Sequence, residues 1–250
     1  MRLDKYVSER TEFSRNQIKN LIAAKKVKVN GTSAVKADMN ITGSDTVTIS
    51  GTVVRQDKKL TLLMNKPEGC ISATEDKTEK TVIDLLPSEY KGQGLSPVGR
   101  LDKDTTGFLL LTNDGALLHD LTSPKKHVPK YYIASLAEPF TDQAQKLIAE
   151  GIVLKDGSQC KPAKASAISR DGREVLISIC EGKYHQVKRM FAATGNRVES
   201  LKRIAMGNMI LPSYLQPGEV FVLFDKDLTD VLNIKDIFST LVTNFMKCSS

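Results

Sequence analysis

Histidine and cysteine are both scarce in this chain, three of the one and four of the other among 250 residues. Cys70, Cys160, Cys180 and Cys248 stand far apart, and no two of them form a Cys-x-x-Cys pair. Side chains so sparse and so spaced support neither a disulfide framework nor a zinc site. No apolar run approaches the length of a membrane-spanning helix. The opening "MRLDKYVSER" lacks the apolar core of a signal peptide. The expectation is a reduced, cytoplasmic protein without a structural metal and without a membrane partner. A hydrophobic content of 40% and a charged content of 26% exclude a disordered chain.

What is present is unevenly placed. Residues 1–58 carry 11 Lys and Arg against 6 Asp and Glu, whereas the other 192 residues carry 25 against 23. A small basic front before a nearly neutral body predicts an anion-binding module followed by a second domain. A merely solubilising basic surface is the alternative on charge alone.

The front has a readable pattern. Leu3, Tyr6 and Val7 fall at i, i+3 and i+4, a short amphipathic helix. In "FSRNQIKNLIAAKK" Ser14 and Gln17 stand at capping-box spacing, Ile18, Leu21 and Ile22 form a stripe, and Arg15, Lys19, Lys25 and Lys26 lie off it. "KVKVNGTSAV" reads as a hairpin turned at Asn30-Gly31, and "DTVTIS" as a third strand. Lysines along one edge of such a module suit a phosphate backbone. Leu3-Asp4-Lys5, Ser14-Arg15, the Ile-Leu helix and the Val-x-Val-Asn-Gly hairpin resemble the alpha-L RNA-binding motif. That motif is shared by a ribosomal small-subunit protein, tyrosyl-tRNA synthetases and several RNA-modifying enzymes.

"RQDKKL" (55–60) reads as a linker, which divides the chain into 1–58, a second domain over 59–232 and a C-terminal helix or tail over 233–250. In the second domain, "LTLLMNKPEG" predicts a strand stopped at Pro67, and "TVIDLLPSEY" a short helix ended by Pro87. "TDQAQKLIAEG" and "YHQVKRMFAATGN" predict helices, and "EVLISICEG" a strand. With no repeat, the alternation points to an α+β fold.

The chemistry concentrates in "GRLDKDTTGFLLLTNDG" (99–115). Phe108, Leu109, Leu110 and Leu111 read as a strand buried on both faces, and Asp102 lies in the loop that leads into it. A carboxylate on a loop anchored to a rigid strand is well placed to act on a ligand. Capping a turn suits it equally, and chemistry alone does not choose. Asp104 reads as solvated loop scaffolding and Asp114 as a turn-former. His185 reads as structural or RNA-contacting, although a general base is chemically open to it.

That stretch resembles the signature of pseudouridine synthases, in the subfamily that modifies single uridines in bacterial ribosomal RNA. "MNKPEG" (64–69), "KYY" (130–132) and "EGKYHQVKRMF" (181–191) resemble further segments of the same family, in the same order. The likeness implies a mixed, mainly antiparallel sheet in the second domain. It implies catalytic roles for Asp102, for Tyr132 against the target base in proton removal from C5, and for Lys188 paired with the aspartate. It gives Arg100 a part in holding a flipped nucleotide. Lys125, Lys126 and Arg189 join Arg15, Lys19, Lys25 and Lys26 as expected RNA contacts. The reaction needs no cofactor and no metal, since nothing is oxidised and no group is donated. A monomer acting on ribosomal RNA of the small (16S) subunit is expected. Modification of 23S rRNA, and a non-catalytic RNA-binding or assembly factor, are the alternatives. Two departures stand out: Tyr131 occupies a position where the family commonly has a small residue, and "PGEVFVLF" lacks a following arginine.

Overall fold

The computed structural model describes every residue except 9, 12, 43, 55–58, 124, 234 and 249–250. Most of the linker stretch therefore lies outside the described residues. Two units form, Met1–Lys58 and Lys59–Ser250.

In the first unit, helices α1 (Leu3–Ser8) and α2 (Arg15–Ala23) cover a four-stranded sheet. The capping box predicted at the start of α2 forms: the Ser14 backbone N–H donates to Gln17 Oε1 at 2.8 Å, and Gln17 N–H donates to Ser14 Oγ at 3.4 Å. Such a cap satisfies two N–H groups that the helix itself cannot. At the far end Lys25 adopts φ 55°, and Lys26 N–H returns to the Leu21 carbonyl at 2.9 Å. That closes the helix in the manner glycine usually does. β1 (Val27–Val29) and β2 (Thr32–Ser33) form the hairpin, with Asn30 and Gly31 at φ 50° and 81°. Positive φ at both central residues is what a type I′ turn requires. β3 (Val47–Ile49) pairs with β1, and β4 (Thr52–Val53) pairs with β3. Leu3, Val7, Ile18, Val27 and Val47 fill the core, so the apolar stripes read from sequence are its inner faces.

The second unit is one sheet covered on both faces. Its strands are β5 (Thr61–Lys66), β6 (Ser96–Pro97), β7 (Thr105–Thr112), β8 (Lys130–Leu136), β9 (Lys164–Ala167), β10 (Glu174–Ile179), β11 (Val198–Met206), β12 (Met209–Ile210) and β13 (Val220–Leu223). They run in the order β13-β5-β7-β11-β8-β10-β9, with β6 on β7 and β12 on β11. Among the described pairings of these strands only β7–β11 is parallel, so the sheet is mixed and mainly antiparallel. Period-2 alternation sorts the side chains. Leu109, Leu111, Tyr132, Ile177 and Leu201 face one side, under α4 (Asp142–Glu150) and α5 (Gln186–Ala193). Phe108, Leu110 and Met206 face the other, under α3 (Gly115–Thr122) and α6 (Asp225–Leu232).

Residues 233–250, set apart in the sequence reading, include α7 (Phe238–Cys248), and this helix docks on the second unit. Phe238 and Leu241 pack on that second face with Tyr131, Leu176 and Ile204. The helix expected over "TVIDLLPSEY" does not form. The Asp84 carboxylate accepts from Thr81 N–H and Oγ1 at 2.8 and 2.9 Å, and Val82 N–H goes to the Ile71 carbonyl at 3.0 Å. With those groups committed elsewhere the segment is a turn, and only Ser88–Tyr90 is helical, as one 3₁₀ turn. Asp114 does more than shape a turn: its carboxylate accepts from Ala116 and Leu117 N–H and caps α3. Among the described residues, no helix is long and apolar enough to cross a membrane.

Candidate active site

The loop at 101–105 is held by its backbone. Ser72 Oγ, itself buried, accepts from Leu101 N–H at 3.0 Å and donates to the Leu101 carbonyl at 2.9 Å. Gly69 N–H donates to the Lys103 carbonyl at 2.8 Å, and Thr105 N–H to the Asp102 carbonyl at 3.0 Å. Lys66, at the end of β5, is fully buried. Its ammonium donates to the carbonyls of Thr105, Pro67 and Asp102 at 2.9, 3.0 and 3.1 Å, with Lys103 O at 3.4 Å. Burial holds the Lys66 amine below its ordinary pKa. A buried ammonium spent on main-chain carbonyls fixes the shape of a loop, and the shape fixed here is the one that carries Asp102.

Gly107 lets the neighbouring strand come close. A Cβ at this position would lie 2.2 Å from the Arg203 carbonyl, and φ is 99°. Only glycine fits there, which accounts for the break between "DTT" and the apolar run.

Above the loop lies a cleft of about 740 Å³. Asp102, Arg100, Lys103 and Thr105 line it from the loop side, Lys130, Tyr132 and Arg203 from the sheet, and the 179–187 segment from the rim. The size suits a nucleotide-sized ligand. Lys188, on the first turn of α5 and off that helix's buried stripe, stands 3.8 Å from Asp102 Oδ2 and 2.5 Å from Asp104 Oδ1. Its short partner is therefore Asp104, which the sequence reading left in solvent. The hydrogen bond from Lys188 holds the Asp104 carboxyl below the usual carboxylate range. Lys188 bridges the two aspartates, and Asp104 positions it. His185 Nε2 lies 3.4 Å from the other oxygen of Asp102, so both carboxylate oxygens face a nitrogen-bearing side chain.

Strand alternation separates the two adjacent tyrosines. Tyr132 faces the cleft, while Tyr131 points to the opposite side of the sheet against α7, where its hydroxyl accepts from Ile237 N–H at 3.4 Å. Burial pushes the Tyr131 phenol up. Lys130 shares the face of Tyr132; burial first, and then the Arg203 charge, lower its amine to about 8. Arg203, which the sequence reading did not single out, is 1% exposed. It pairs across β8 with Tyr132, at a bulge in β11. Its Nε donates to the Phe108 carbonyl at 2.7 Å, and its guanidinium lies 6.0 Å from the Tyr132 ring centre. Leu201 and Arg203, two apart on one strand, share a face, and that spacing was the sequence signal for an inward arginine.

Arg100 is exposed at the cleft wall. The remaining expected RNA contacts lie elsewhere. Arg15, Lys19, Lys25 and Lys26 are exposed on the first unit. Lys125 and Lys126 follow α3, with Lys126 Nζ 3.5 Å from Asp120. Arg189 is committed internally: it pairs with Asp156 at 2.5 Å and donates to the Tyr184 carbonyl at 3.3 Å. Among the described residues, no cluster of three or more His, Cys, Asp or Glu is placed to hold a metal ion.

A loop-held aspartate in a nucleotide-sized cleft, preceded in sequence by a basic helix-and-hairpin module, defines a two-part enzyme acting on nucleic acid. Known proteins agree in both parts. Residues 60–193 match the RNA pseudouridylate synthase family, and residues 1–47 match the S4 domain. An uncharacterized RNA pseudouridine synthase of Bacillus subtilis is 42% identical over 91% of this chain and 97% of its own length. Ribosomal small subunit pseudouridine synthase A of Haemophilus influenzae is 37% identical over 88% of this chain and 94% of its own. A crystal structure of a pseudouridylate synthase superposes with a TM-score of 0.67 at 35% identity, covering 92% of this chain and 99% of that one. The chain belongs to the RNA pseudouridylate synthase family, and is an isomerase that acts on RNA.

Proposed function

We propose that this enzyme converts a uridine of small-subunit (16S) ribosomal RNA to pseudouridine, with Asp102 as the attacking carboxylate. The observation that carries the chemistry is that Asp102 and Tyr132 line one cleft from separate elements, with Lys188 of a third element 3.8 Å from the Asp102 carboxylate. The choice of subunit is supported by the relative of Haemophilus influenzae, which is named for the small subunit and matches over nearly the whole chain.

The reaction breaks the N1–C1′ bond, forms a C5–C1′ bond, removes the proton from C5 and returns one to N1. Atoms balance without a donor or an oxidant. Asp102 bonds covalently to the nucleoside and divides the isomerisation into easier steps. Lys188, 3.8 Å away, pairs with that carboxylate and aims it. Tyr132 gives the base a ring to rest on and takes part in removing the C5 proton. The uridine reaches the cleft by leaving its helix, the usual solution for chemistry on a base. Arg100, exposed beside Asp102, holds the flipped nucleotide. Arg15, Lys19, Lys25 and Lys26 on the first unit, with Lys125 and Lys126 on the second, neutralise phosphates and anchor the RNA.

The test is tritium release from C5-labelled uridine in 16S and 23S transcripts. Wild-type protein releases tritium from 16S RNA, and Asp102→Asn releases none while still binding the RNA. Release from 23S RNA alone, or an active Asp102→Asn, overturns the reading.

A further inference from the structure

Tyr184 is a large aromatic side chain that the proposed chemistry does not use. It is 76% exposed, yet it lies at the cleft, stacked on His185 with ring centres 3.8 Å apart and planes 19° from parallel. His185 in turn reaches Asp102 at 3.4 Å. Carboxylate, imidazole and phenol thus form a short series from the cleft floor to its mouth, and the outer face of the last ring is open.

The loop that carries the pair is held in advance. Gln186, buried, accepts from Lys183 N–H at 2.9 Å through Oε1 and donates from Nε2 to Glu181 at 2.6 Å. Glu181 also accepts from Lys161 N–H at 2.9 Å. Arg189 donates to the Tyr184 carbonyl and is itself fixed by Asp156. The Asp156 carboxyl is held well below the usual range, first by the Ser158 hydroxyl, then by the Ser158 N–H and Arg189. An exposed ring on so braced a loop costs little further ordering when it meets a partner.

We infer that Tyr184, backed by His185, is a stacking platform for the nucleobase next to the target uridine. The chemistry selects this occupant. The reacting nucleoside must bring its sugar to Asp102 and its base to Tyr132 on the floor, whereas Tyr184 stands at the mouth, where the strand enters and leaves. Every base has a π-face and stacks on an exposed aromatic ring. Flipping also strips the neighbouring base of a stacking partner, which this ring replaces. The platform favours a purine neighbour over a pyrimidine, because the larger base covers more of the ring.

The inference rests on the cleft being the uridine site, and the test separates the two. Short RNAs carrying 2-aminopurine on the 5′ or the 3′ side of the modified uridine are bound to wild-type, Tyr184→Leu and Tyr184→Phe protein. Base–aromatic stacking of roughly 1–3 kcal/mol corresponds to about 5- to 150-fold in affinity. The expected result is 2-aminopurine quenching on one flank, lost in Tyr184→Leu together with a KM increase in that range, with kcat changing less. Tyr184→Phe keeps both, since the ring and not the hydroxyl is needed. Quenching that survives in Tyr184→Leu, or Tyr184→Phe behaving like Tyr184→Leu, overturns the platform. A kcat loss without any change in quenching also overturns it, because Tyr184 then only props His185. Tritium release by wild type reports on the uridine site by itself. If it is absent, the same quenching is read on oligouridylate with one 2-aminopurine, so the platform is judged either way.

Discussion

Replacing Lys66 by methionine tests whether a buried cation sets the geometry of the Asp102 loop. The substitution keeps the length and removes the charge, in a site that is 0% exposed. Three hydrogen bonds of ordinary length vanish, to Thr105, Pro67 and Asp102 carbonyls at 2.9, 3.0 and 3.1 Å. Bonds from a charged donor are worth ~1.5–3 kcal/mol each, and relief from burying the ammonium offsets a large part of that sum. The expected net loss is about 2–4 kcal/mol of stability in the second unit. Activity should fall further than stability explains. The Asp102 carbonyl loses a tether, and a displacement of ~1 Å at a reacting group can cost ~100-fold in rate. Urea unfolding followed by circular dichroism reads the first effect, and kcat at a temperature where the variant is fully folded reads the second. Lys66→Arg should not rescue, because the larger head does not fit the slot. A Lys66→Met protein of unchanged stability and full turnover would refute the reasoning.

Other substitutions probe separate parts of the account. Tyr132→Phe should cut kcat sharply while Tyr131→Phe leaves it nearly intact, since only the first faces the cleft; equal effects in a turnover assay would contradict the strand parity. Gly107→Ala should destabilise the second unit by roughly 2–4 kcal/mol in denaturant unfolding, because its methyl meets the Arg203 carbonyl at 2.2 Å. Lys130 has a native pKa near 8 against an ordinary 10.5. Between those values the unfolded chain binds more protons, so stability contributed by this group rises with pH across that window. Below it, the buried charge opposes folding by about 3 kcal/mol. Lys130→Met should therefore be more stable than wild type at neutral pH and lack the alkaline rise; identical pH profiles in thermal unfolding would contradict this. Asp104→Asn should release Lys188 and lower kcat with less effect on RNA binding, and an unchanged kcat would leave Asp104 as scaffolding alone.

Much of this was legible before any coordinates, for reasons that are local. The Ser14–Gln17 box, the Asn30-Gly31 turn and the run from Phe108 to Leu111 each obey a rule that needs only neighbouring residues. The approach of Asp102, Tyr132 and Lys188 was legible only through the order of motifs resembling a family, because three elements distant in sequence build the cleft. Lys66 and Arg203 were missed as buried groups for a physical reason. Charged side chains belong on the surface unless a specific set of partners awaits them, and those partners are mostly main-chain carbonyls of the 102–105 loop and of β7, invisible in a linear reading. Asp104 was misjudged in the same way, since its partner is 84 positions along the chain. The helix expected at 81–90 failed because hydrogen bonds accepted by the Asp84 carboxylate and the Ile71 carbonyl outweighed a weak helical pattern.

The central claim is that this cleft isomerises one uridine of small-subunit ribosomal RNA. The most direct measurement maps pseudouridines, by chemical adduct and reverse-transcription stops, in ribosomal RNA from cells with and without the protein. Restoration is attempted with wild type and with Asp102→Asn. The account predicts one stop in 16S rRNA that disappears without the protein and returns only with the wild type. An unchanged 16S map, or a stop restored by Asp102→Asn, would contradict it.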